Sequence, residues 1–232
     1  MEDLVTGRTG DEPATPRARY RAQVRDEVKE VALRQLAELG PAGVSVSAIG
    51  KELGVSGPAL YRYFASRDEL LTELVIDAYH DLGETLAVAV DESSSSKPRA
   101  RFEALVRAYR SWALAQPHRY RLLYGPPLPA YNAHAERLVD ASRQSMRILI
   151  DTLPDLSDRT AARVRRSLAA ELTDWVRRHD LDTNPATALD AILTWSRIHG
   201  FVSLEIAGNF ESMGIDPDLI FEIELASLPP LR

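Results

Sequence analysis

One stretch of the chain, residues 45–71, restricts the fold more than any other: SVSAIGKELGVSGPALYRYFASRDELL. Its first apolar residues recur at helical spacing: Val46, Ile49 and Leu53. Ser45 precedes this stripe, where a hydroxyl can cap a helix, and Gly54 follows it, where glycine permits the left-handed conformation of a sharp helix end. Pro58 suits the first turn of another helix. The pattern predicts two short helices joined by a tight turn, which is a helix-turn-helix.

The second half of the same stretch predicts how this unit continues. Ser56 can cap the second helix, and Leu60 and Phe64 lie four residues apart, so both can point towards the first helix. Ser66 and Glu69 have the spacing of a capping box, which predicts a long helix from there to about residue 90. The second helix of such a pair fits the major groove of DNA, so the stretch indicates a DNA-binding function.

The motif I-G-K-E-L-G-V-S-x-x-x-L-Y-x-Y-F-x-S-R-x-E-L-L resembles the DNA-binding domain of the TetR family of repressors, and the resemblance extends from Arg17 to Leu71. It departs from the family at Gly50, where alanine is usual. Glycine there costs about 1 kcal/mol of helix propensity, but it would ease close packing against the second helix. An ordinary helical hairpin inside a core is the alternative interpretation of the same pattern.

The resemblance implies which residues meet double-stranded operator DNA. They lie on the two short helices, at the N-caps of these helices and, for Arg67, shortly after the second helix in the sequence: Ser45, Ser47, Ser56, Gly57, Pro58, Ala59, Tyr61, Arg62, Tyr63 and Arg67. The residues that open the second helix have no hydrogen-bonding side chain, whereas the tyrosines and Arg67 suit phosphates, which position a protein without specifying a sequence. Arg62 is therefore the strongest candidate for a guanine contact, with Ser47 a weaker reader from the first helix.

The net charge of −6 is distributed unevenly along the chain. Residues 13–67 carry nine Lys/Arg and five Asp/Glu, a net +4, whereas residues 68–232 carry 18 and 25, a net −7. Phosphates attract local positive charge, so the basic segment supports DNA binding by the N-terminal domain. Four arginines open the first predicted helix, 17–39: Arg17, Arg19, Arg21 and Arg25. They form either a solvated helix face or an arm that reaches the DNA backbone or the minor groove.

The rest of the sequence predicts helices throughout, without an alternating run that would indicate a β-strand. The predicted fold is all-α, with a disordered tail over 1–16, an N-terminal three-helix helix-turn-helix domain over 17–65, and a C-terminal helical ligand-binding and dimerisation domain over 66–232. The chain has no cysteine, and its first residues lack the apolar run of a signal peptide. Both features fit a cytoplasmic protein.

The predicted helix 186–207 is apolar around its whole circumference, which is typical of a helix inside a large domain, in a membrane or against a partner. Asp190 and Arg197 argue against a membrane span. A second copy of the chain fits best, because a DNA reader usually needs a two-fold dimer to match two half-sites. The candidate homodimer interface on this helix comprises Ile192, Trp195, His199, Gly200 and Ser203.

The string W-S-R-I-H-G-F-V-S-L-E, residues 195–205, resembles the tryptophan-histidine-glycine type of C-terminal domain found in part of the TetR family. Together with H-R-Y-R-L-L-Y at 118–124, this looser resemblance covers roughly 100–207. It implies a small-molecule inducer as well as a homodimer. The candidate inducer-binding residues are Tyr109, Trp112, Tyr120, Tyr124, Met146 and Trp175. Their composition suits an apolar or aromatic molecule, and core packing is the alternative for each of them.

The sequence lacks the motifs of common enzymes. It has no G-x-S-x-G elbow and no H-E-x-x-H, and a Walker loop around Gly50 fails because Ser45 and Glu52 stand where glycine and Ser/Thr are required. The five histidines are scattered without ligand spacing, so neither a metal nor another cofactor is expected. The prediction is a ligand-responsive, DNA-binding transcriptional regulator, a repressor released by its inducer. A helical protein–protein module that no longer reads DNA is the alternative.

Overall fold

The structure of the chain, a computed structural model, describes residues 15–94, 97–125, 136–153 and 166–228. These residues contain eleven α-helices and no β-strand, which confirms the prediction of an all-α fold. They divide into two compact units, the first ending at Leu71 and the second beginning at Thr72. The sequence places this boundary between residues 65 and 66. Residues 1–14 of the predicted tail lie outside the described residues, and Pro16 already begins the first helix.

The first unit consists of three helices and the start of a fourth. Helix α1 spans Pro16–Leu39, α2 Val46–Glu52, α3 Gly57–Leu60 and α4 Arg67–Glu92, and a 3-10 turn at Pro41–Gly43 joins α1 to α2. The core-facing side chains of these elements are buried: Val28, Val31, Ala32, Leu36, Ile49, Leu60, Phe64, Leu70 and Leu71. Their burial supplies the main driving force for folding of this unit.

Side-chain caps fix two helix ends of this unit where the sequence predicts them. Ser45 Oγ accepts a backbone N–H at 3.3 Å at the start of α2, and Ser66 Oγ accepts the N–H of Glu69 at 3.0 Å at the start of α4. The Glu69 carboxylate also accepts the N–H of Ala65. Ser56 occupies the N-cap position of α3, but its side chain accepts no capping bond from the described residues, so the predicted cap by its hydroxyl is wrong.

The second unit contains most of α4 and seven further helices among the described residues. They are α5 (Pro98–Ala115), α6 (Pro117–Tyr124), α7 (Glu136–Thr152), α8 (Arg166–Arg178), α9 (Pro185–Ile206), α10 (Asn209–Ser212) and α11 (Pro217–Ser227). Proline stands in the first turn of α5, α6, α9 and α11, where its missing N–H costs nothing. Asn184 and Asp216 cap α9 and α11 with their side-chain oxygens.

Helix α9 belongs to the core of the second unit along one side. Five of its residues there are buried: Ala188, Ala191, Thr194, Ile198 and Val202. Leu193 and Leu204 on the same helix are 44% and 48% exposed. The helix is apolar around much of its circumference because one side belongs to the core and another carries apolar side chains that are exposed in the described part of the chain. None of the described helices combines the length and the mean hydropathy needed to cross a bilayer.

Candidate DNA-binding surface and ligand cavity

The predicted DNA-reading residues lie on α2, on α3 and in the turn that follows α3. Regular helix ends at Leu60, and Tyr61 to Tyr63 continue as tight turns. Ser47, Ser56, Pro58, Tyr61 and Arg62 are exposed, and Ser45, Gly57, Ala59, Tyr63 and Arg67 are half-buried. Tyr61 is 54% exposed, so its aromatic side chain is available for contact with a partner.

Gly50 allows the close packing of α3 against α2 that the sequence predicts. A Cβ atom at this position would lie 2.8 Å from the Val55 carbonyl oxygen and 3.1 Å from a methyl carbon of Leu60. The N–H of Val55 donates to the Gly50 carbonyl oxygen at 2.8 Å, so the turn closes directly onto α2. Gly54 within this turn has a φ of +66°, the left-handed conformation expected at the end of α2.

Two arginines of α1 brace the end of the recognition segment, which we define as residues 57–63. Arg21 donates from Nη2 to the Arg62 carbonyl oxygen at 3.3 Å, and Arg25 donates from Nη1 to the Tyr63 carbonyl oxygen. The Arg25 guanidinium also lies 4.3 Å from the ring centroid of Phe64. Carbonyls at a helix end lack helical partners, so these cations satisfy them. The sequence analysis interpreted these two arginines as part of a solvated helix face or of an arm that reaches DNA. In the structure both bind backbone carbonyls of their own unit, which neither interpretation included.

A groove beside the recognition segment contains another exposed aromatic residue. Arg17 and Tyr20 of α1 line it together with Ala59 and Arg62. Tyr20 is 64% exposed. Sequence reasoning did not select this residue, although an aromatic residue among four arginines is a signal for contact with a nucleic acid.

Arg67 has a structural role as well as its predicted place near a phosphate. Its Nε donates to the Val44 carbonyl oxygen at 2.8 Å, and its Nη2 donates to the Pro41 carbonyl oxygen at 2.5 Å. These bonds tie the start of α4 to the 3-10 turn that precedes α2. Any substitution of Arg67 is therefore expected to alter the stability of the unit, independently of any contact with DNA.

The second unit contains a cavity of about 270 Å³. Most of its lining is aromatic or aliphatic: Tyr79, Leu82, Leu86, Leu105, Tyr109, Tyr124, Val139, Met146, Leu149, Trp175, Leu181, Trp195 and Ile198. Four of the six predicted inducer-binding residues are among them: Tyr109, Tyr124, Met146 and Trp175. The structure thus brings together, around one space, residues that are far apart in the sequence.

Trp112 and Tyr120, the other two predicted residues, do not line this cavity and hold neighbouring helices together instead. Trp112 donates from Nε1 to a carboxylate oxygen of Asp81 at 2.7 Å. The Tyr120 hydroxyl lies 2.8 Å from Nδ1 of His199 and 2.7 Å from the hydroxyl of Ser203, so it joins α6 to α9. Both residues belong to the structural frame around the cavity.

Asp81 connects α4 to α5 and α6. The same oxygen that binds Trp112 also accepts Gln116 Nε2 at 2.9 Å and Arg119 Nη1 at 2.8 Å. Partial burial would raise the pKa of Asp81, but the hydrogen bonds from Trp112 and Gln116 and the charge of Arg119 together lower it. The carboxylate is therefore ionised at neutral pH and holds the three donors in place.

Several polar residues of the lining were not predicted from the sequence: Ser142, Arg143, Ser145 and His179. Burial and the nearby charges of Arg143 and Arg178 lower the pKa of His179. The hydroxyl of Tyr109 lies near those of Tyr120 and Tyr124 without forming a well-aligned hydrogen bond among the described residues, and burial raises its pKa well above the ordinary value. The polar part of the cavity is thus small.

The residues predicted for the dimer interface lie on two different sides of α9. Trp195 lines the cavity and stacks on His199, with ring centroids 5.4 Å apart, and Ser203 contacts Tyr120, so these three lie against α6 or the cavity. Ile192 and Gly200 are half-buried, and a Cβ atom at Gly200 would meet nothing within 4 Å among the described residues.

Both α9 and α11 in the second unit carry exposed apolar side chains. Leu193 and Leu204 are about half-exposed on α9, and Leu219 and Ile223 on α11 are 66% and 71% exposed. Arg197 Nε pairs with a Glu224 carboxylate oxygen at 2.8 Å, which joins the two helices. We call the surface formed by Leu193, Gly200, Leu204, Leu219 and Ile223 the α9/α11 face.

A helix-turn-helix unit followed, in the same polypeptide, by a helical unit with an apolar cavity is typical of DNA-binding transcriptional regulators. The model for bacterial regulatory proteins of the tetR family matches residues 30–74, and the model for the tetracyclin repressor-like C-terminal domain matches residues 102–228. The chain belongs to the TetR family of bacterial transcriptional regulators. It is a DNA-binding regulator and not an enzyme, as the sequence predicted.

Related proteins resemble the chain over nearly its whole length. The HTH-type transcriptional regulator Rv1816 of Mycobacterium tuberculosis is 31% identical over 213 residues, which cover 88% of this chain and 90% of the relative. A solved structure of the regulatory protein SCO4313 is 40% identical, with a TM-score of 0.76 over 92% of this chain and 98% of that chain. A solved structure of a protein of unknown function from Rhodococcus sp. RHA1 is 25% identical, with a TM-score of 0.66 over 88% and 93%.

Proposed function

We propose that the chain is a homodimeric repressor that leaves a two-fold symmetric operator when a small, largely apolar molecule enters the cavity of the second unit. The observation that carries this proposal is the cavity of about 270 Å³, with its mainly aromatic and aliphatic lining, in the unit that lacks the helix-turn-helix. This volume lies just below the roughly 300–1,000 Å³ usual for small-molecule sites, which favours a compact ligand. A repressor of bacterial genes would act in the cytoplasm.

The recognition segment is the best candidate for reading the operator. Tyr61 and Arg62 are exposed there, and the carbonyls of Arg62 and Tyr63 are held by Arg21 and Arg25. A fixed backbone lets a reading side chain meet a base edge at small entropic cost. The capping serines, the tyrosines and Arg67 would contact phosphates, and Ser47 would support Arg62 as a second reader.

Helix α4 is the element through which an inducer would act. It begins in the first unit and contributes Tyr79, Leu82 and Leu86 to the cavity lining in the second. Asp81 on the same helix holds donors from α5 and α6, so a change in the cavity walls would alter the environment of α4. A ligand that favours a position of α4 unsuited to the operator must weaken DNA binding, and the operator must weaken ligand binding by the same factor.

A screen of small molecules tests the inducer proposal. We expect compounds with an apolar or aromatic body to raise the melting temperature of the protein and to lower its affinity for the DNA that precedes its own gene, measured by fluorescence anisotropy. The melting temperature rises because the ligand binds the folded protein and not the unfolded chain. The affinity for DNA falls because the ligand prefers the conformation that is unsuited to the operator. If small charged metabolites without an apolar body were the sole stabilisers, the proposal for this cavity would be wrong.

The dimer would form on the α9/α11 face, where large apolar side chains remain exposed in the single chain. A two-fold interface repeats every contact, so one apolar patch on each copy can bury the other. Trp195, His199 and Ser203 would support this face from behind, through their contacts with the cavity and with α6.

Changing Gly200 to arginine is expected to convert the dimer into folded monomers. The position has open space for a side chain within the single chain, so the substitution leaves the fold intact, but it places an unpaired charge on the α9/α11 face of both copies. Light scattering measures the mass. Val88→Arg, at a 54% exposed apolar residue of α4, is the matched control and should remain dimeric. A dimeric Gly200→Arg protein would show that the interface lies elsewhere.

A further inference from the structure

The cavity lining has a small polar part among its aromatic and aliphatic side chains. Ser142, Arg143, Ser145 and His179 belong to it, and the positive charge of this part comes from Arg143. A few polar side chains in a mainly apolar pocket fix the orientation of a ligand. The lining therefore indicates a ligand that places a polar group beside Arg143.

The charge of the lining favours a negative ligand. Arg143 carries a positive charge, and no aspartate or glutamate occurs among the described residues that line the cavity. Asp140 on the same helix pairs with Nη2 of Arg143 at 2.8 Å, but its side chain is 54% exposed and lies outside the lining. Such exposed pairs are weak, so the guanidinium can turn part of its hydrogen-bonding capacity towards a ligand.

We propose that the inducer is a carboxylic acid with an apolar body, an inference that rests on the ligand-released repressor proposed above. Its carboxylate contacts Arg143, and its body lies among Tyr124, Trp175 and Trp195. A carboxylate accepts two parallel hydrogen bonds from a planar guanidinium, which gives both strength and orientation. A primary amine would place a second positive charge beside Arg143, and a neutral amide would form weaker hydrogen bonds than the charged group.

A head-group series on constant bodies tests this inference. Phenylbutyl, cyclohexylpropyl and naphthylethyl compounds are each used as the carboxylic acid, the primary amide and the amine. Trp175 and Trp195 line the cavity, so quenching of tryptophan fluorescence reports occupancy, with calorimetry as the second measurement. For every body that binds, we expect the acid to bind about tenfold or more tightly than the amide, because a hydrogen bond to a charged group is stronger than a neutral one. The amine is expected to bind least.

Two substitutions on α7 separate the role of Arg143 from a general effect of charge. Arg143→Gln is expected to remove most of the preference for the acid over the amide. Arg147→Gln is the matched control, because Arg147 lies one turn further along the same helix, outside the cavity lining, and donates to the Asp180 carbonyl oxygen at 2.9 Å. It should leave the preference unchanged. Circular dichroism checks that both variants fold, and if Arg143→Gln does not, the wild-type series decides.

The outcomes distinguish this inference from the proposal on which it rests. Equal binding of acid, amide and amine would be consistent with a ligand site in the cavity, but it would contradict the inference that the inducer is a carboxylic acid. A preference for the acid that persists in folded Arg143→Gln would overturn the role of that residue. If no compound of any head group bound to the wild-type protein, the ligand-released repressor would be contradicted together with the carboxylate.

Discussion

Replacing Arg110 by leucine is expected to destabilise the second unit by about 3–5 kcal/mol, because the change leaves Glu205 as an unpaired, buried carboxylate. Arg110 donates from Nε and Nη2 to both oxygens of Glu205, and the two side chains are 13% and 9% exposed. The hydrogen bonds that Arg110 donates to Glu205 raise the pKa of Arg110, and a carboxylate oxygen of Asp218 is a further acceptor. These contacts join α5, α9 and α11. Urea denaturation followed by circular dichroism measures the loss.

Arg107→Leu is the matched control on the same helix. Arg107 also donates to both oxygens of a carboxylate on α11, that of Glu222, but the side chains are 47% and 55% exposed. Water screens such a pair, so its loss should destabilise the protein much less than loss of the buried pair. Since Arg110 holds both helices of the α9/α11 face, Arg110→Leu should also weaken the dimer, whereas Arg107→Leu should not. Equal costs for the two substitutions would contradict the importance of the buried pair.

Replacing Arg62 by alanine is expected to remove sequence preference at one base pair of each half-site, at a cost of about 1–3 kcal/mol per site. The side chain is exposed on the recognition segment, and its neighbours at residues 57–59 offer no side-chain hydrogen bond to a base. An arginine in the major groove reads guanine through two acceptors, which no other side chain of this segment can do as well. The measurement is binding to single-base variants of the preferred site at fixed salt.

Arg34→Ala is the control for loss of positive charge in the same unit. Arg34 lies on α1 and pairs with Glu52 at 2.7 Å, with both side chains about half-exposed. Its removal should leave the order of preferred bases unchanged. Arg67→Ala is unsuitable for this comparison because its guanidinium also holds the backbone at Pro41 and Val44. If Arg62→Ala kept the wild-type preference, base reading would have to come from Ser47, from Arg17 or from the shape of the DNA.

The helix-turn-helix could be predicted from the sequence because its signals act locally. The caps at Ser45 and Ser66 and the left-handed Gly54 each work within about four residues of the chain. The tight packing at Gly50 could also be predicted, since a glycine inside a helix weakens the helix unless something comes close to it. Ser56 shows the limit of this reasoning, because the correct residue type at an N-cap position does not guarantee the hydrogen bond.

The roles of the arginines could not be predicted because their partners are distant in the sequence. Arg25 donates to a carbonyl 38 positions away and Arg67 to carbonyls 23 and 26 positions away. A long charged side chain near the surface has the same sequence signature whether it faces phosphate, water or a backbone carbonyl. Only the three-dimensional arrangement shows that Arg21 and Arg25 donate to backbone carbonyls of the recognition segment.

The faces of α9 and the cavity lining could be predicted only in part. A helix that is apolar all round has no polar face to mark its solvent side. Its sequence therefore does not reveal that Trp195 faces the cavity while Leu193 faces outward. Aromatic composition located Tyr109 and Trp175, but it could not separate them from Trp112, whose indole binds Asp81. Arg143 was missed because arginines on an amphipathic helix are usually solvent-facing.

Selection of binding sites from randomised duplex DNA, followed by titration of the selected duplex and a scrambled duplex at the same salt concentration, tests the central claim most directly. If the chain is a dimeric DNA reader, one two-fold symmetric sequence is enriched, and one dimer binds it about 10³-fold or more tightly than the scrambled duplex. Enrichment of no sequence, with equal affinity for both duplexes, would contradict the account and favour a helical protein–protein module that has lost DNA reading.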